Sequence, residues 1–162
     1  MTAALVKFPL PLRTETILGE DRSLLLLEPF VFESSTLGTI TVEAGFDTDL
    51  ASIPRVFWRV FPPAGKYTAA AVIHDLLYWY QATEKHNTPE IHIMRKQADA
   101  VFLEAMDDLG VNWLTRHTIH RSVRIGGFSS WKNNYEKRTG LPYPSKPSAR
   151  LPDFYRQRHI KR

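Results

Sequence analysis

Polar and apolar residues alternate along the first third of the chain and then settle into a three-to-four-residue rhythm, so strands give way to helices. Residues 23–34, SLLLLEPFVFES, read as extended chain. Leu25, Leu27, Phe30 and Phe32 would share one buried face, with an irregularity at Pro29. Residues 39–44, TITVEA, carry the β-branched enrichment of a strand, and Leu37-Gly38 supplies the preceding turn. Residues 5–10 and 14–18 are weaker strand candidates, because Pro9 and Pro11 cannot donate to a central ladder.

The rhythm changes after Pro62-Pro63-Ala64-Gly65. Residues 66–81, KYTAAAVIHDLLYWYQ, predict a mostly buried helix whose stripe is Ala69, Ala70, Ile73, Leu77 and Tyr80. A second helix is expected to open near Thr88-Pro89 or at Ile93 and to run to Leu109, burying Ala98, Val101, Phe102, Ala105, Met106 and Leu109. Gly110 is its stop. A third helix is expected over residues 113–125, broken at Gly126-Gly127, with a short fourth over 130–137.

From residue 140 onward Pro142, Pro144, Pro147 and Pro152 deny the chain a regular element, and six Lys/Arg stand against one Asp. This predicts an extended basic arm without its own core. The expected architecture is therefore α+β: residues 1–139 form one domain, a small antiparallel sheet packed against about three helices, and residues 140–162 form a C-terminal arm.

Composition narrows the chemistry. The 162 residues contain no cysteine, which removes disulfides, thiolate nucleophiles and cysteine-ligated metals. The opening residues, interrupted by Lys7, Pro9 and Pro11, do not read as a signal peptide, and no apolar run approaches a membrane span. Charge is divided. Residues 1–115 balance to −6 and residues 116–162 to +10, an asymmetry suited to an acidic partner surface, another copy of the chain or a nucleic-acid backbone.

Two polar segments interrupt apolar surroundings: GFDTDLASIPR at residues 45–55, and His74-Asp75 within the buried helix. With FPPAGKYTAAAVIHDLLY and RKQADAVFLEAMDDLGV, these segments resemble the DUF1353 family of phage and bacterial proteins, over about residues 40–130. The resemblance implies a phage or prophage setting and carries no catalytic assignment.

The same residues support two chemical readings. In one, Asp49, His74 and Asp99 bind Zn²⁺ or Mn²⁺ for hydrolysis, Asp75 orients a ligand, and Glu104 serves as general base. In the other, no cofactor is involved. Asp49, Asp75 and Asp99 instead form a structural latch through turn donors and pairing with Arg55, Arg121 and Arg124. Ser52 lacks a nucleophile elbow. Arg116, His120 and Arg124 make one basic helical stripe, and Trp58, Trp113 and Trp131 are core or interface anchors.

The leading expectation is a phage structural or assembly protein, made in the host cytoplasm and carried in the virion. Its arm would dock on copies of itself or other virion proteins through Lys146, Arg150, Tyr155, Arg156, Arg158, Lys161 and Arg162. The alternatives are the metal-dependent hydrolase and a nucleic-acid-binding accessory protein.

Overall fold

A computed structural model describes residues 7–16, 24–50, 67–83 and 91–144. The described elements run β1 (Thr14–Thr16), β2 (Leu24–Leu26), β3 (Phe30–Ser34), β4 (Gly38–Val42), β5 (Asp47–Thr48), α1 (Thr68–Tyr80), β6 (Ala82–Thr83), β7 (Ile91–His92), α2 (Arg95–Asp108) and α3 (Trp113–Thr139). The fold is α+β. A three-stranded antiparallel sheet in the order β1-β2-β5 and a β3-β4 hairpin pack with the three helices, and β6-β7 form a further two-stranded pair.

The hairpin register explains its share of the core. Phe30 faces Val42 and Phe32 faces Ile40, so four buried side chains line one face. Ser34 Oγ accepts from the Thr36 and Leu37 amides, and Gly38 takes φ 74° as β4 begins. The buried phase upstream differs from the expectation. Leu26, Phe30 and Phe32 are inside, whereas Leu27 is exposed and Leu25 only partly covered. The irregularity expected at Pro29 is present: the chain bends at Leu27-Glu28 as it passes from the three-stranded sheet to the hairpin, and Glu28, at the surface, pairs with Arg13 at 3.0 Å.

Helix α1 is the central element. Eight of its 13 residues are buried, so its apolar surface is wider than the five-residue stripe expected, and Tyr80 lies outside it, exposed. It ends where Gln81 adopts φ 55°, donating its amide to Leu77 O and its side-chain Nε2 to Trp131 O at 2.7 Å. Helix α2 begins at Arg95, directly after β7, with Gln97 Oε1 accepting from the Met94 amide at 2.8 Å. The Thr88-Pro89 start expected from sequence lies outside the described residues. At the far end Gly110 (φ 68°) donates to Asp107 O and Val111 donates to Met106 O, the paired bonds of a Schellman stop.

Helix α3 departs most from expectation: it runs unbroken for 27 residues through Gly126-Gly127. Asn112 caps it by accepting from the Thr115 amide at 2.9 Å, and Gly140 (φ 70°) ends it. Two mid-helix glycines cost roughly 1 kcal/mol each relative to alanine. Packing on both sides of the pair, through Ile119 and Val123 before it and Trp131 and Tyr135 after it, outweighs that cost. Gly127 also has a steric reason, since a Cβ there would collide with the Tyr78 hydroxyl.

Beyond the helix, Tyr143 packs edge-on against Phe128 and Tyr135, and its amide donates to Glu136. The seven arm residues expected to bind a partner, Lys146, Arg150, Tyr155, Arg156, Arg158, Lys161 and Arg162, lie outside the described residues. Among the described residues, no helix is long and apolar enough to cross a membrane.

Candidate functional site

The three helices meet at one buried carboxylate. Asp99 on α2 is fully buried, and four side chains converge on it. His74 Nε2 lies 2.9 Å from Oδ1, and the Tyr78 hydroxyl donates to the same oxygen at 2.7 Å. Arg124 from α3 donates to Oδ2 at 2.6 Å, and Arg95 from α2 itself reaches Oδ2 at 3.5 Å. His74 and Tyr78 reach Asp99 together because they stand four residues apart on one face of α1. Arg95 also donates to the Val123 and Arg124 carbonyls at 3.3 and 3.0 Å, fastening α2 to α3.

Burial alone would push the Asp99 carboxyl up, but hydrogen bonds from His74, Tyr78 and Arg124 prevail and hold it down at about 2. Asp99 is thus an acceptor at neutral pH, and the proton in its bond to His74 resides on Nε2. Burial, together with the bond to Asp99, pushes the Tyr78 phenol well above its ordinary range, keeping it a donor. The His74 ring is packed at 4.5 Å from the Phe102 ring and 4.1 Å from that of Tyr78.

Asp75 faces elsewhere. It accepts a short hydrogen bond from Thr48 Oγ1, whose oxygen in turn accepts the Leu50 amide at 3.2 Å. Leu50 sits at φ 51° immediately after Asp49. This tie holds the end of β5 against α1. A cleft of about 1040 Å³ opens here, with Asp47, Thr48 and Asp49 on one wall, His74, Asp75 and Trp79 on a second, and the Gly126–Arg138 stretch of α3 on the third.

The structure brings Asp99 together with Arg124 and His74, and places Asp49 and Asp75 along the cleft with His74. Glu104 does not join them. It accepts from Lys7 at 2.8 Å, Ser34 Oγ at 2.9 Å and the Ser35 amide at 2.8 Å, binding the hairpin to α2. That commitment holds its carboxyl below its ordinary value against the opposing effect of burial, and replaces the general-base role expected of it. Arg121 does not join a latch either: it projects from α3 into solvent, without an ion pair among the described residues. Arg55 lies outside the described residues.

The basic stripe of α3 is turned inward. Arg116 pairs with Asp107 at 2.7 Å and donates to Val111 O, while Arg124 is spent on Asp99. His120, half-buried between them, is held below its ordinary value by burial. Of the tryptophans, Trp131 is buried, Trp113 is exposed, and Trp58 lies outside the described residues.

Among the described residues no group of three His, Asp or Glu side chains is placed to hold a metal ion. The hydrogen bonding gives a reason: His74 Nε2 is committed to Asp99, and both Asp99 oxygens are already covered by donors. Zn²⁺ or Mn²⁺ shared by Asp49, His74 and Asp99 does not fit that arrangement.

Sequence reasoning missed Tyr78, Arg95 and Thr48. Tyr78 stands one helical turn after His74 and Arg95 one turn before Asp99, which was the available signal. Thr48, by contrast, announces itself only once β5 is placed beside α1.

The molecule is thus an α+β protein whose three helices are tied through one ionised, fully buried carboxylate beside a mixed-charge cleft. The family match spans residues 24–123, and the chain belongs to DUF1353, a family of phage and bacterial proteins described as a protein of unknown function. The match takes in His74, Tyr78, Arg95 and Asp99, but stops short of Arg124 and Gly127. No curated protein and no solved structure matches the chain.

Proposed function

We propose that the protein is a phage structural or assembly protein that docks on neighbouring virion subunits through its basic C-terminal portion. The observation that carries this reading is the outer face of α3. Leu114, Arg121, Ile125, Phe128 and Lys132 fall on one side of the helix, and all are exposed, Leu114 at 69% and Ile125 at 86%. Large apolar side chains interspersed with cations suit a partner surface that is itself apolar and acidic. The sequence beyond the described residues is Pro-rich and basic, and would extend the contact to the same acidic partner.

Charge favours a protein partner of acidic character. The 1–115 portion of the chain carries −6 against +10 for the remainder, so a second copy offers one such surface and another acidic subunit would serve equally. The DUF1353 membership supports the phage setting. Nucleic acid is less favoured, because two cations of the inner stripe, Arg116 and Arg124, are paired within the fold.

The test is complementation of a phage lacking the gene. Ile125→Asp with Phe128→Asp, and separately removal of residues 145–162, are expected to cut the titre of infectious particles at least tenfold while the purified chains keep their circular dichroism. Full titre from both well-folded variants would overturn the reading.

A further inference from the structure

Charge is not what the cleft offers a ligand. Glu43, Asp47, Asp49 and Asp75 share it with Lys137 and Arg138, and the three aspartates and Arg138 already hold partners. Apart from Lys137, the polar side chains left open along the α3 wall are neutral. Ser130, Asn133 and Asn134 stand three and four residues apart on the face of α3 turned to the cleft. Ser130 and Asn133 are exposed and Asn134 half-buried, and none of the three side chains is bonded within the described residues.

The α1 wall supplies an aromatic face. Trp79 stands four residues after Asp75, on the side of α1 that Asp75 turns toward β5. It lines the cleft at 37% exposure, whereas Trp131 is buried edge-on against Tyr78. Hydroxyl and amide side chains both donate and accept, and an indole offers a broad apolar plane. A pyranose ring matches that pair: its C–H groups form an apolar face, and the hydroxyls around its edge donate and accept in turn.

We infer that the cleft binds a neutral oligosaccharide, with one sugar ring stacked on Trp79 and its hydroxyls bonded to Ser130, Asn133 and Asn134. The volume of about 1040 Å³ is at the upper end for small-molecule sites, which is room for a short chain of sugars and more than a single ring fills. Binding here is independent of docking through the outer face of α3, since Ile125 and Phe128 do not line the cleft.

The experiment titrates the full chain with chitotetraose, cellotetraose and maltotetraose, read by calorimetry and tryptophan fluorescence. Saturable binding of at least one is expected, with the same Kd at low and high salt because the ligand is uncharged. Trp79→Ala should weaken it about tenfold, and Asn133→Ala with Asn134→Ala by a similar factor. Removal of residues 145–162 should leave it unchanged. Retention on the matching insoluble polymer (chitin, cellulose or starch) assigns the sugar to a polysaccharide, and tetrasaccharide binding without retention assigns it to a free oligosaccharide. As a check on the unaltered chain, N-bromosuccinimide oxidation is mapped with and without sugar. Protection at Trp79 but not at the exposed Trp113 is the expected result. No saturable binding of any of the three, a salt-dependent Kd, undiminished binding by folded Trp79→Ala, loss of binding with residues 145–162, or Trp79 left unprotected would each overturn the inference.

Discussion

Asp99 is held by donors from two neighbouring helices and from its own, and its substitution should be felt by all three. Asp99→Asn removes the charge while leaving Arg124 and Arg95 beside it, a partner-deletion that typically costs about 3–5 kcal/mol in buried pairs. Urea unfolding is the measurement, and the partial exposure of both arginines favours the lower end of that range. The pH dependence follows from the same carboxylate. Its pKa is about 2 in the fold against an ordinary 3.8, so its stabilisation is present above the unfolded value. It is lost as pH falls from about 4 to about 2, on the order of 2 kcal/mol. Glu104 is depressed as well, so Asp99→Asn should flatten the acid limb of the stability curve only in part. An unchanged limb would contradict the assignment. At this scale the sequence was informative about Asp99, since a carboxylate beside an apolar stripe requires partners. The choice between Arg121 and Arg124 was not legible, because it depends on how α3 is rotated against α2.

Gly126 and Gly127 show how element and packing compete. Read locally, a glycine pair ends a helix; in the fold α3 continues, because contacts on both sides of the pair stabilise it. The two positions should respond in opposite directions. Nothing lies near a Cβ at Gly126, so Gly126→Ala should raise stability by up to about 1 kcal/mol through helix propensity. At Gly127 the Tyr78 hydroxyl occupies that space, and Gly127→Ala should destabilise by about 1–3 kcal/mol as Tyr78 is pushed from Asp99. Thermal melts of the two variants check this; equal shifts would show that the contact does not matter. Asn112→Ala should cost about 1 kcal/mol in the same assay, the usual worth of a helix cap. The α2 stop at Gly110 was legible because a glycine following the last apolar position has a local cause. The inward phase of Leu26 was not: four consecutive leucines carry no alternation, and only the β1 and β5 pairings decide between them.

On the scale of the whole molecule, the fold class and the change from strands to helices at α1 were readable from hydrophobic period, whereas the β6-β7 pair between α1 and α2 was not. The cleft was not, since its walls come from β5, α1 and the distal half of α3, segments up to about 90 residues apart, and its assembly depends on tertiary placement. The charge division visible in the sequence separates in the fold into cations spent internally, such as Arg116 and Arg124, and cations facing outward, such as Arg121 and Lys132, the latter also within 3.8 Å of Glu136. An outward set that engages an acidic subunit makes binding weaken as salt rises. The most direct measurement of docking is the copy number of this protein in purified particles, by quantitative mass spectrometry, with either the full chain or residues 1–144 supplied. Full-length protein at a fixed copy number, with the shortened but folded chain depleted from particles, is the predicted result. Equal copy numbers for the two chains, or no full-length protein in the particles at all, would contradict it.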